Sequence, residues 1–247
     1  MLTRTSDPSA GNGTEKVIEF FREKLLSGEL KPGDQLLGER ELSAQLNISR
    51  PALREALRAL AMMGFLDIQH GRGAFVRSAD ISVLRNFFTF SLAQQSNVLD
   101  DVMEARIAIE CQAIRLACER AGDADLARMQ EHLEGIMATL DDPEAGGQAD
   151  YQFHLEIVRA SRSQVLLSIY EAIADLLIRS HAERRRVTLP AFGITKYLVD
   201  AHREVFTSIV SRNPDQADRK LREHFAIGAE YRRQGILHSY SREKDDI

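Results

Sequence analysis

The sequence predicts a mainly α protein: a small N-terminal unit of three helices closed by a β-hairpin, followed by an all-helical bundle of six or seven helices. Three observations carry this. Two short β-like runs, FLDIQ and AFVR, flank His70-Gly71-Arg72-Gly73, where glycine permits a tight turn. From about Ile81 onward the apolar residues recur at helical spacing and no convincing strand appears. Trp is absent and aromatic residues make up 6% of the chain, so a core built mainly from Leu, Ile, Val and Ala is expected.

In chain order, Thr14 can cap a helix over about 15–27, with Val17, Ile18, Phe21 and Leu25 on one face. Gly28, Pro32 and Gly33 punctuate a turn. A second helix spans about 39–45, and the short turn LNIS leads to Ser49, a good N-cap for a third over about 50–63. Leu53, Ala56, Leu57 and Leu60 form its inward stripe. With the hairpin after Gly64, this order is that of a winged helix-turn-helix. Further helices are expected at about 81–95, 99–120, 123–140, 148–160, 163–185, 191–211 and 214–235, with DDPEAGG (141–147) the clearest break. The expected domains are a tail over 1–13, a DNA-binding unit over 14–79, a helical unit over 80–236 and a polar tail over 237–247.

Hydrophobic content of 44% with 28% charged residues is ordinary for a globular chain. No stretch approaches the roughly 18 uninterrupted apolar residues of a membrane span. The opening residues MLTRTSDPSAGNG lack the apolar core of a secretory signal, so a cytoplasmic protein without membrane partners is expected. Cys111 and Cys118 lie two helical turns apart, about 10 Å along one helix, too far for a disulfide. Net charge is −5, but residues 1–79 carry 11 Lys and Arg against 10 Asp and Glu. Any DNA contact must therefore come from locally clustered arginines.

Such a cluster exists. Arg50 and Arg54 are four apart on the outward face of the third helix, as major-groove reading requires, because a guanidinium fork matches guanine O6 and N7. Arg40 stands at the start of the second helix, and His70, Gly71 and Arg72 form the hairpin tip. The same spacing suits an ordinary solvated face paired to Glu39, Glu41 and Glu55.

Four residues further on make a ligand set for a divalent metal. Asp150 and His154, at i and i+4, share one helical face. His202 and His224 each lie on an apolar stripe of a separate helix, beside Phe206 and Ile209 and beside Leu221 and Phe225. A single inward histidine suits a core imidazole bonded to a carbonyl. Three of them, with a carboxylate, suit Zn, Ni, Mn or Fe with positions left open. Arg106 lies on the stripe Val102, Ile109 and Ala113, and an inward guanidinium needs an anion, either Glu110 or Asp150 or a ligand carboxylate. His132, His181 and His238 lack an inward pattern and are expected to be exposed. Arg184, Arg185 and Arg186 read as a solvated helix end or loop, with a place near a pocket entrance as the alternative.

Residues 14–77 resemble the N-terminal domain of the GntR superfamily of bacterial regulators, FadR-like branch. The resemblance rests on Gly33-Asp34, Leu36, Glu39-Arg40-Glu41-Leu42, Ser49-Arg50, Leu53-Arg54-Glu55-Ala56-Leu57 and Gly71-Arg72-Gly73. Leu37-Gly38 replaces the usual proline and small residue. Residues from about 81 to 235 resemble the FCD effector domain through Glu104, Arg106, Glu110, Asp150, His154, His202 and His224. Ser163 stands where that family has Asn.

The resemblance implies operator contact by Arg40, Arg50 and Arg54, with the Gly71 tip in the minor groove. It implies a metal on Asp150, His154, His202 and His224, and a small organic acid received by the metal and Arg106. The expected protein is a ligand-responsive transcriptional regulator and not an enzyme, acting as a homodimer on a pseudo-palindromic double-stranded operator. A metal-dependent enzyme and a regulator with a purely structural metal are the alternatives.

Overall fold

The computed structural model describes residues 8–78, 80–192 and 195–245. They fall into two compact units, one through Leu84 and one from Arg85 onward. The first contains α1 (Pro8–Leu26), α2 (Glu39–Leu46), α3 (Arg50–Met62) and an antiparallel hairpin of β1 (Leu66–Gln69) and β2 (Gly73–Val76). Register pairs Leu66 with Val76, and both side chains are buried. They join Val17, Phe21, Leu42, Leu53, Ala56, Leu57 and Leu60 in one apolar cluster. Asn47 ends α2 in the left-handed region at φ 50°, which its short polar side chain tolerates better than most. Two residues on, the Ser49 hydroxyl accepts from the Ala52 N–H at 3.3 Å and starts α3.

Helix α1 begins at Pro8 instead of after a Thr14 cap, because proline fits a first helical turn. Residues 8–13, expected in the tail, are therefore helical. The polar end of the chain behaves likewise, since α11 (Pro214–Asp245) runs through most of the expected tail, whose Arg, Glu and Lys favour helix.

Helix α4 (Ile81–Leu92) crosses the division between the units, and seven more helices follow. They are α5 (Val98–Arg120), α6 (Asp123–Ala138), α7 (Pro143–Ala160), α8 (Gln164–Ala172), α9 (Ala174–Phe192), α10 (Thr195–Val210) and α11. The single helix expected over 163–185 is two, α8 and α9, broken at Ile173. The expected break at 141–147 is a helix start. The Asp142 carboxylate accepts from the Glu144 and Ala145 N–H groups at 2.9 and 3.0 Å, and Pro143 occupies the first turn. The glycines that suggested a loop serve a close approach instead. A Cβ on Gly147 would lie 2.8 Å from the Ala182 backbone N of α9.

α5 packs against α7, α9 and α11. Two apolar clusters flank it. Met103, Cys111, Ile114, Phe153, Ile157, Val205 and Leu221 belong to one, and Val102, Ile109, Ala113, Tyr151, Leu155, Tyr170 and Leu177 to the other. Arg106 and Glu110 on α5, and Asp150 and His154 on α7, fall in neither cluster although all four are buried. The i, i+4 polar pairs of these two neighbouring helices meet through the Glu110–His154 hydrogen bond and the Arg106–Asp150 ion pair. Both cysteines are buried and free, with burial pushing the Cys111 thiol up to about 12 and the Cys118 thiol up to about 11.

Gly147→Ala should destabilise the protein by about 1–3 kcal/mol, the usual cost of forcing extra volume into packed backbone. Gly135→Ala, in the interior of α6 with no heavy atom nearer its Cβ than 3.9 Å, should hold or raise the thermal midpoint. Differential scanning calorimetry of the two variants checks this, and equal midpoints would refute the close-packing account.

Candidate functional site

The exposed face of α3 carries Arg50 and Arg54, 57% and 54% exposed. Both approach the same oxygen of Glu39, at 3.7 Å from Arg50 Nη2 and 2.7 Å from Arg54 Nε. The outward-cation and ion-pair expectations are thus met together. Exposed pairs are worth little, so these guanidiniums are readily redirected to another anion. Arg40 is exposed on α2, and the Ser49 hydroxyl is used as the α3 cap. At the hairpin tip, Gly71 takes φ 75° and Gly73 φ 100°, conformations that glycine adopts without strain. The Gln35 side chain donates to the Arg72 carbonyl at 2.5 Å, and the Arg72 guanidinium covers the Phe75 ring at 5.7 Å. His70, Gly71 and Arg72 border a groove of about 430 Å³ together with Arg54 and Arg58. Arg58 was missed in the sequence, although it lies one turn beyond Arg54 on the same face.

In the second unit, α5, α7, α10 and α11 bring the other candidate residues together. His154, His202 and His224 offer ring nitrogens that all lie within 4.8 Å of one another. His154 Nδ1 donates to Glu110 Oε2 at 2.6 Å, and His202 Nδ1 donates to the Leu198 carbonyl at 2.7 Å. Each bond fixes the tautomer and leaves Nε2 as a bare lone pair. Those two nitrogens face each other at 3.4 Å, and Asp150 Oδ1 stands 3.5 and 3.6 Å from them. Three electron-rich atoms meet there with no proton available between any pair. Donors about 2.0–2.1 Å from one tetrahedral ion would sit about 3.3 Å apart, so the donor set fits a divalent metal.

Burial is the largest influence on His154 and His224, and with the nearby Arg106 it pushes both imidazoles below their ordinary range. They stay neutral, which is the form that binds metal. Burial alone would raise the Asp150 carboxyl, but His181, with Nδ1 3.0 Å from Oδ1, is foremost in holding it well below the usual carboxylate range.

Arg106 is 3% exposed and donates from Nε to Glu110 at 2.6 Å. Its guanidinium lies over the Phe225 ring at 4.7 Å and its Nη2 has no hydrogen-bond partner. Glu110 is fully buried and also accepts from the Tyr170 hydroxyl at 2.7 Å. Burial opposes its ionisation, yet Arg106 and His154 together lower its carboxyl to about 2.

A cavity of about 70 Å³ adjoins these groups, lined by Arg106, Asp150, His181, Arg184, Arg185 and His224 among others. His181, expected at the surface, is 4% exposed, with Nδ1 3.0 Å from Asp150 Oδ1. Arg185, expected in a solvated end, is equally buried and donates to Asp150 Oδ2 at 3.3 Å. Arg186 alone of the three arginines is exposed, paired with Glu144 and Glu183. His132 is half-buried, and His238 lies outside the residues whose side chains are described.

The sequence pattern of bacterial regulatory proteins of the gntR family matches residues 14–76, and that of the FCD domain matches residues 101–226. The chain belongs to the GntR family.

HTH-type transcriptional repressor NanR of Edwardsiella tarda is 31% identical over 215 residues, covering 85% of this chain and 82% of that protein. HTH-type transcriptional regulator LutR of Bacillus subtilis is 29% identical over 199 residues, covering 80% and 91%. Streptococcus agalactiae GntR shares the fold, with a TM-score of 0.63 at 22% identity, covering 91% of this chain and 99% of that one. This GntR-family chain is thus a DNA-binding transcriptional regulator with an FCD domain, not an enzyme. Among its described residues no helix is long and apolar enough to cross a membrane.

A signal for the missed residues of α9 was present. Ala174, Leu177, His181, Arg185 and Thr188 follow helical spacing, and all are buried. Two charged or titratable side chains, His181 and Arg185, on an inward face read as surface unless their partners are known.

The buried imidazoles give the metal-free protein a pH signature. His181 titrates near 6.5 when exposed and is pushed down to about 4 by burial. The unfolded chain therefore takes up protons that the folded chain refuses, and stability is lost as pH falls through that window. Glu110, lowered from 4.5 to about 2, acts in the same direction at lower pH. The melting temperature of chelator-treated protein should drop from about pH 7 to about pH 5. A level profile over that range would contradict the buried, neutral state of these imidazoles.

Proposed function

We propose that this GntR-family regulator is a cytoplasmic homodimer whose FCD domain senses a small organic acid through a metal-containing pocket and thereby modulates operator binding. Asp150, His154, His202 and His224 would hold a divalent transition metal, Zn, Ni, Mn or Fe. The observation that carries this is the convergence of the His154 and His202 Nε2 lone pairs on Asp150 Oδ1, each fixed by a partner on the far side of its ring. A metal bound there supplies a positive centre that accepts a carboxylate oxygen.

Arg106 would receive the same carboxylate with Nη2, which makes no hydrogen bond and lies 3.7 Å from Asp150 Oδ1, while its Nε stays on Glu110. A cavity of about 70 Å³ favours a short acid over a long acyl chain. In the first unit, Arg50 and Arg54 would read the major groove of a pseudo-palindromic operator. Arg40 and Ser49 would stand beside them, and His70, Gly71 and Arg72 would enter the minor groove. An acid that favours one arrangement of the dimer would shift the population that fits the operator.

Thermal-shift and gel-shift titrations on one preparation test this reading. Zinc added to chelated protein should raise the melting temperature, and His202→Ala should abolish the rise. A panel of short carboxylates should raise it further in the zinc-loaded protein and change operator affinity. Arg50→Ala should lose specific operator binding and keep both thermal responses. A zinc response with no carboxylate response would make the metal structural, and no zinc response would end the metal reading.

A further inference from the structure

The lining of the cavity beside Asp150 is richer in cations than one carboxylate requires. Three guanidiniums, Arg106, Arg184 and Arg185, face it. Among the described residues, Glu110 and Asp150 pair with Arg106 and Arg185, while Asp100, which acts on Arg184, is itself paired with Arg232, so that this second pair cancels. That leaves one net positive charge, and a divalent metal would bring it to three. Buried cations without counter-anions are unfavourable, so the arrangement calls for negative charge from outside the chain.

The donors left without partners show where that charge would sit. Arg106 Nη2 is at the Asp150 end. On α9, Arg184 Nε and Arg185 Nε and Nη1 are buried with no partner, and the Tyr197 hydroxyl on α10 is likewise unpaired. Arg185 is 4% exposed and seated against α7, where a Cβ on Gly146 would collide with its guanidinium. It is therefore fixed by packing. Burial, with Arg106 and Arg232 nearby, pushes the Arg184 guanidinium down to about 10, outweighing the opposing pull of Asp100 and Asp150.

We infer that the cavity recognises an acid with two anionic groups, one held at the Arg106 and Asp150 end and the second by Arg184 and Arg185 of α9. This rests on the acid-sensing reading above and narrows it from carboxylates in general to short dianions. Arg184 and Arg185 are then specificity-determining residues. A monoanion of the same size leaves their donors unsatisfied, and that penalty discriminates between acids more strongly than shape does.

Isothermal titration of zinc-loaded, full-length protein with malonate, succinate and glutarate, each beside its monoamide, tests the inference. At least one diacid should bind about tenfold or more tightly than its monoamide, the ratio a charge-assisted hydrogen bond supplies. Arg184→Gln should bring that ratio close to one while monoamide affinity stays level, and Arg184→Lys should restore part of it. If every monoamide binds as tightly as its diacid, the two-pole inference falls and the acid-sensing reading stands. If the diacids and monoamides all fail to bind, while other short monocarboxylates raise the melting temperature, the inference again falls alone. If no acid of any kind binds, both fall together.

Discussion

One carboxylate, that of Glu110, holds the candidate site together. It is fully buried, and it accepts hydrogen bonds from Arg106, His154 and Tyr170, which come from α5, α7 and α8. A carboxylate with no access to water is tolerable only when its lone pairs are filled, and here three donors fill them. Because Glu110 takes the proton side of the His154 ring, the Nε2 lone pair faces Asp150 and His202. Because it takes Arg106 Nε, the rest of that guanidinium is left pointing at the cavity. The proposed metal ligand and the proposed acid contact are therefore set by the same side chain.

The two units treat their charges in opposite ways. Arg50 and Arg54 are more than half exposed and share Glu39, so exchanging that partner for a phosphate or a base edge costs little. Arg106, Asp150 and His154 are buried in a network where each lost partner leaves an unpaired polar group. Surface arginines suit reversible binding to a polyanion. Buried donors held in fixed directions suit discrimination among small ligands, since a mismatched ligand leaves them unsatisfied.

The winged unit was legible in the sequence because its signals are local: the Ser49 cap, the Leu53, Ala56, Leu57 and Leu60 stripe, and the glycines around Arg72. Asp150, His154, His202 and His224 were legible because each histidine shares an apolar stripe that must turn inward. His181 and Arg185 were read as surface, since their burial depends on Asp150 of another helix, which spacing along one helix cannot reveal. The start of α7 was misread for a related reason. Gly146 and Gly147 look like loop residues in the sequence, but they are there because α9 passes too close for a side chain. The break at Ile173 is equally silent, since no proline or glycine marks it.

Zinc affinity of Glu110→Gln, measured by competition with a chelating dye, tests the central role of this carboxylate most directly. Glutamine fills the same space but removes the charge that fixes His154 and Arg106. The account expects zinc affinity to fall about 10- to 100-fold, the usual effect of losing the partner of a ligating histidine, with helix content unchanged and operator affinity of the metal-free protein intact. Zinc affinity within about twofold of the unaltered protein, with the fold intact, would contradict it.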